Sequence, residues 1–169
     1  MKMRPLDSPD DARLQSQARQ LAEMLELGHI RLATAESCTG GWLAKLCTDI
    51  PGSSAWFDCG FVTYSNQAKQ RMLGVAAATL DAHGAVSEAV AREMVSGALS
   101  HSGADMALAI SGIAGPGGGS SDKPVGMVCL AWGRRDGRID TETCHFDGDR
   151  DAVRRQAVTW ALLGLMDRV

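Results

Sequence analysis

The 169-residue chain holds 45% hydrophobic and 22% charged residues, the balance of a folded globular protein and not of a disordered one. That length suits one domain with a real core, and a formal net charge of -3 argues against a broad nucleic-acid-binding surface. No apolar stretch approaches the ~20 residues of a membrane-spanning helix, and Met1 to Asp10 lacks the apolar core of a signal peptide, so a cytoplasmic location is expected.

Cys38, Cys47, Cys59, Cys129 and Cys144 are odd in number and contain no Cys-x-x-Cys pair, which speaks against a disulfide framework or a zinc site. His29, His83, His101 and His145 are scattered without metal-ligand spacing. Neither a metal nor a cofactor is expected.

Ser8-Pro9-Asp10-Asp11 reads as a helix start, with Ser8 as cap and Pro9 in the first turn. Leu14, Ala18, Leu21 and Leu25 keep helical spacing until Gly28. An apolar run from Ile30 to Ala35 predicts the first strand. It enters the polar turn Thr34-Ala35-Glu36-Ser37-Cys38-Thr39-Gly40-Gly41, and a helix-like run from Trp42 to Cys47 follows. A helix start offers unpaired N–H groups and a positive dipole end, so a serine in such a turn can act as a nucleophile. Ser37 or Thr39 can equally be no more than the cap of that helix.

Residues 54–65, rich in aromatic and β-branched types, predict a second strand. Asn66 is a candidate cap for a short helix that carries Lys69 in its first turn and ends at Gly74. Ser87 caps the next helix, whose face holds Val90, Met94, Gly97 and Ala98, with His101 at its end as a helix-end residue. Asp105 to Ile110 predicts a strand leading into the glycine-rich segment Ser111 to Ser120, which matches neither phosphate-binding glycine fingerprint. That segment is a connector or part of a site. Val125 to Trp132 and Arg138 to Phe146 predict a hairpin around Asp136-Gly137, the second strand at an edge. Asp149 opens a last helix with Val153, Ala157, Trp160, Ala161 and Gly164 on its apolar face. This order predicts an α/β fold: a single-domain three-layer α/β/α sandwich with a mixed central sheet.

No Gly-x-Ser-x-Gly elbow is present, so a nucleophilic Ser37 needs a base other than histidine. Lys69 is the candidate. Its place at a helix start and beside an aromatic strand would disfavour the ammonium form and bring the amine towards ~7–8, the range useful to a general base. A solvated surface lysine is the alternative. Tyr64 either meets a ligand or is a half-buried strand aromatic. Arg150, Arg154 and Arg155 either hold a phosphate at the helix start or pair with Asp147, Asp149 and Asp151.

Four segments together carry a family resemblance. They are Thr34 to Gly41; Gly60-Phe61-Val62-Thr63-Tyr64-Ser65-Asn66 with Ala68-Lys69; Gly84 to Glu88; and Ile110 to Pro116 followed by Lys123-Pro124-Val125-Gly126. From about residue 30 to 165 the chain resembles the CinA C-terminal domain family, also known as nicotinamide-nucleotide amidases or NMN deamidases. The resemblance is to the stand-alone amidase, without the nucleotide-binding-like domain that precedes this one in full-length CinA proteins. It implies one amidase domain over residues 1–169, with residues 1–9 a short N-terminal extension. It also implies hydrolysis of nicotinamide mononucleotide to nicotinate mononucleotide and ammonia.

By the same resemblance, Ser37 is the nucleophile and Lys69 its partner. Glu36, Thr39, Gly40, Gly41, Tyr64, Asn66, Ser111 and Gly112, with Arg150 and Arg154, are expected to contact the substrate. The expected partner is a pyridine mononucleotide, with no nucleic acid and no membrane. A homo-oligomer is also expected, since Trp56, Phe57 and Trp160 suit an interface as readily as a core. The competing readings are another serine–lysine hydrolase and a catalytically idle nucleotide-binding domain linked to competence or DNA damage.

Overall fold

Parallel strands β1 (Leu32–Glu36), β2 (Phe57–Val62) and β3 (Met106–Gly112) form half of a sheet that the hairpin β4 (Met127–Arg134) and β5 (Ile139–His145) completes antiparallel. The strand order is β2-β1-β3-β4-β5. The computed structural model describes residues 8–169. Of the extension expected at residues 1–9, residues 1–7 lie outside the described residues.

Six helices cover the sheet among the described residues: α1 (Asp11–Leu27), α2 (Trp42–Thr48), α3 (Asn66–Leu73), α4 (Ala77–His83), α5 (Glu88–Ser100) and α6 (Arg150–Met166). Alternation along the strands divides the core in two. One face presents Leu32, Leu108, Ile110, Val128, Leu130 and Trp132 to α1, α2 and α6. The other presents Ala33, Ala35, Ala107, Ala109 and Ala131, and these short side chains let α5 lie close. At Gly133 an added Cβ would stand 2.3 Å from Val95, so α5 needs a glycine there. The predicted three-layer α/β/α sandwich is the observed one, and none of the described helices is long and apolar enough to cross a membrane.

Ser87 and Asp149 cap α5 and α6 as predicted, each accepting an N–H from three residues on. Other boundaries differ. Asp10, not Ser8, caps α1, because its extended backbone lets Oδ1 accept from Arg13 N at 2.8 Å. The predicted strand 54–65 is shorter: residues 53–55 close a 3₁₀ turn, while Tyr64 and Ser65 leave the sheet. Ser65 is the cap of α3, and Asn66 is the first helical residue. Trp56 is buried and belongs to the core, with Phe57 and Trp160 packed against it at its margin.

The β1–β2 connection runs through α2 on one face, and the β2–β3 connection runs through α5 on the other. The carboxyl end of β1 is therefore a topological switch point, where open α/β sheets form their ligand crevices. Ser37 stands there.

Candidate active site

Neither Ser37 nor Thr39 caps α2. Its N-cap is Gly41, at φ 91, with no side-chain bond. The orphan N–H groups go to Glu36 instead: Oε2 accepts from Leu43 N at 3.1 Å and Oε1 from Ala44 N at 2.8 Å. Oε2 also accepts the Thr39 hydroxyl at 2.7 Å. This buried carboxylate at a helix start meets both the unpaired donors and the positive dipole end. Glu36 and Thr39, expected at the substrate, thus turn their side chains inward and hold the turn. The sequence signal for this was an acid at a strand end just before Gly40-Gly41, where the helix has no capping side chain of its own.

With its hydroxyl released from capping, Ser37 is free for chemistry. Its N–H donates to Ile110 O at 2.9 Å, anchoring the turn to β3. Ser65 and the left-handed Gly74 bound α3 and fix Lys69 at the end of its first turn. The Lys69 side chain runs into the molecule and is only 1% exposed. Its Nζ lies 2.9 Å from Ser37 Oγ and 2.8 Å from the Thr63 carbonyl oxygen. No carboxylate stands within ion-pair distance of it among the described residues. Burial holds the amine below the ordinary lysine value. The Thr63 carbonyl, second partner of the amine, was missed because a main-chain contact leaves no mark on residue type.

Cys38 adjoins Ser37, but burial pushes its thiol up to about 11, so it stays protonated at neutral pH. Gly112 makes room for it: a Cβ there would stand 3.1 Å from Cys38 Sγ and 2.7 Å from Val128. Ser111 is buried and donates to Ala85 O at 2.7 Å, so its hydroxyl is engaged away from the pair.

At the rim, Tyr64 is 61% exposed. Its hydroxyl accepts from Arg150 Nη2 at 2.9 Å, while Arg150 Nη1 donates to Gly115 O at 2.8 Å and ties Tyr64 to the glycine-rich loop. Asn66, the first residue of α3, is exposed. Arg154 does not pair with an aspartate. It donates through Nε to Cys38 O at 3.1 Å and through Nη2 to Thr39 O at 3.0 Å. Only Arg155 makes the ordinary pairing, with Asp151 at 2.6 Å and Asp11 at 2.5 Å. A crevice of about 450 Å³ between α1, α2 and α6 reaches the turn at Thr39, Gly40 and Gly41, but neither Ser37 nor Lys69 lines it. A hollow of about 570 Å³ at the opposite end, around Trp132, Arg134 and Arg168, holds no pairing of nucleophile and base.

No group of three or more metal-ligating side chains occurs among the described residues. What the site offers is a hydroxyl against an amine, beside main-chain N–H groups of the turn that precedes α2, the equipment of acyl transfer.

Known proteins are similar over nearly the whole chain. The nicotinamide-nucleotide amidohydrolase PncC of Escherichia coli is 55% identical over 152 residues, covering 90% of this chain and 92% of that one. The protein of the same name from Pseudomonas putida is 55% identical over 150 residues, 88% and 92% of the two chains. The crystal structure of competence/damage inducible protein CihA from Agrobacterium tumefaciens superposes with a TM-score of 0.89 at 43% identity, over 99% of this chain and 98% of that one. Residues 14–169 match the CinA C-terminal domain, and the chain belongs to that family.

Proposed function

We propose that the protein hydrolyses the carboxamide of nicotinamide mononucleotide, releasing ammonia and nicotinate mononucleotide, with Ser37 as nucleophile and Lys69 as base. The observation that carries this reading is the 2.9 Å separation of Lys69 Nζ and Ser37 Oγ, both groups buried. The substrate comes from the two relatives named as nicotinamide-nucleotide amidohydrolases.

In the first step, neutral Lys69 takes the Ser37 proton as Oγ bonds to the carboxamide carbon. The carbonyl π electrons move to oxygen, and the tetrahedral oxyanion is met by main-chain donors of the turn. Gly40 N–H already donates to Ser37 O at 2.9 Å, so the available donors are those of Cys38, Thr39 and Gly41, which have no acceptor among the described residues. Collapse of the intermediate breaks the C–N bond. The ammonium form of Lys69 returns its proton to the departing nitrogen, without which an amide leaves poorly, and ammonia departs. Water, deprotonated by the same amine, then adds to the acyl carbon, the C–Oγ bond breaks, and the ammonium returns that proton to Ser37 Oγ, restoring both groups.

Tyr64, Asn66 and the Gly115 to Ser120 loop frame the nucleotide, and Arg150 at that rim meets its 5′-phosphate through guanidinium hydrogens that Tyr64 and Gly115 do not use. A cytoplasmic, homo-oligomeric enzyme belongs to the same reading.

The test is steady-state ammonia release from the mononucleotide by the purified chain and by Ser37→Ala. Release by the wild type and none by the folded variant is expected. Full activity in Ser37→Ala would remove the serine from the mechanism, and binding without turnover in the wild type would favour an idle nucleotide-binding domain.

A further inference from the structure

We propose that Arg154 is a positioning residue: it sets the main-chain donors of the nucleophile turn and does not hold the substrate's phosphate. This rests on the serine-amidase reading above.

Two consecutive carbonyls, those of Cys38 and Thr39, aim at one guanidinium, at 3.1 and 3.0 Å. A planar trans peptide points its N–H opposite its C=O. The N–H groups of Thr39 and Gly40 are therefore turned away from Arg154. Gly40 N–H is occupied by Ser37 O, while Thr39 N–H has no acceptor among the described residues. Fixing the Cys38 carbonyl thus fixes the direction of the free Thr39 donor, two residues beyond the nucleophile.

The guanidinium is itself held. Its Cζ lies 5.2 Å from the centre of the Trp42 ring, and a Cβ on Gly40 would stand 3.6 Å from Nη2, so it lies against the glycine backbone. Glu36 works from the other side of the turn, accepting the Thr39 hydroxyl and the N–H groups of Leu43 and Ala44. A cation gathers the carbonyls of the turn and an anion gathers its hydroxyl and N–H donors. Gly40 and Gly41, at φ 63 and 91, leave the segment easily reoriented without such restraint.

The test compares Arg154→Met and Arg154→Lys with wild type on nicotinamide mononucleotide and on nicotinamide riboside, which lacks the phosphate. Expected for Arg154→Met is a fall in kcat of about 10²-fold on both substrates, the size of a lost oxyanion donor, with KM little changed and the preference for the phosphorylated substrate kept. Arg154→Lys, with a single donor group, falls between, and it carries the comparison should Arg154→Met fail to fold. A raised KM with kcat intact, or loss of the preference for the mononucleotide, would overturn the proposal and make Arg154 a phosphate ligand. Should the wild type leave both substrates uncleaved, the rate at which a fluorophosphonate labels Ser37 reads the turn directly. Slower labelling in Arg154→Met supports the positioning role, and equal labelling refutes it. A wild-type serine that neither labels nor turns over substrate ends both readings.

Discussion

Lys69 is a buried amine with no carboxylate beside it, and this has consequences for pH. Its folded-state value lies below the ordinary 10.5, so protonating it costs more in the folded protein than in the unfolded chain. The penalty is fully present below the folded value and is relieved as pH rises towards 10.5. Lys69→Met should therefore abolish turnover, and the Tm of wild type minus that of the variant should climb with pH over that window. A flat difference would mean an ordinary lysine. Wild-type kcat should likewise rise with pH along a limb whose midpoint falls below 10.5. At Glu36, Gln would set an NH₂ against a donor in a buried site. Glu36→Gln should cost about 1–3 kcal/mol of stability in denaturant unfolding and lower kcat as the turn loosens. Ser37 and Lys69 stood in the sequence only as candidates, beside a helix cap and a surface lysine as alternatives, and it was the family resemblance that paired them. The inward tasks of Glu36 and Arg154 were not legible, since both are exercised on main-chain atoms.

The helix that delivers the amine depends on a glycine in another helix. A Cβ on Gly97 of α5 would stand 1.9 Å from Leu73 O, at the end of α3. Gly97→Ala must push the two helices apart and should cost about 1–3 kcal/mol. Because α3 carries Lys69, kcat should fall together with Tm, and a lowered Tm with unchanged kcat would mean that the amine tolerates the shift. Helix ends were readable wherever a capping residue stood alone, as at Ser87, Asp149 and Gly74. They were misread where two competent residues adjoin, Ser65 before Asn66 and Ser8 two before Asp10, because the backbone angle that decides between them is set by packing. Helix α4 escaped notice because Ala76 supplies no capping side chain and Leu80 is its single buried residue, which leaves no periodicity to detect.

The core runs along both faces of the sheet, and the Ser37–Lys69 pair lies at the carboxyl end of β1. Alternation in the strands made the layered fold predictable, while the unequal depth of its two faces, alanine on one and leucine and tryptophan on the other, appears only once the helices are packed. On the deep face a Cβ at Gly164 would stand 2.4 Å from the Trp132 indole, whose Nε1 donates to Ala161 O at 3.1 Å. Gly164→Ala should lower Tm by overpacking yet leave kcat/KM of the folded fraction unchanged, as activity and thermal melts on the same sample would reveal. The serine and the amine both come from the stretch between Leu32 and Leu73, whereas the guanidinium that orders their turn arrives 115 residues after Thr39. A polypeptide emerging from the ribosome therefore exposes both reactive groups well before its final helix is made. Copies cut short before Asp149 would contain Ser37 and Lys69 but lack Arg154 and its bonds to the turn, and on the proposed reading they should release no ammonia.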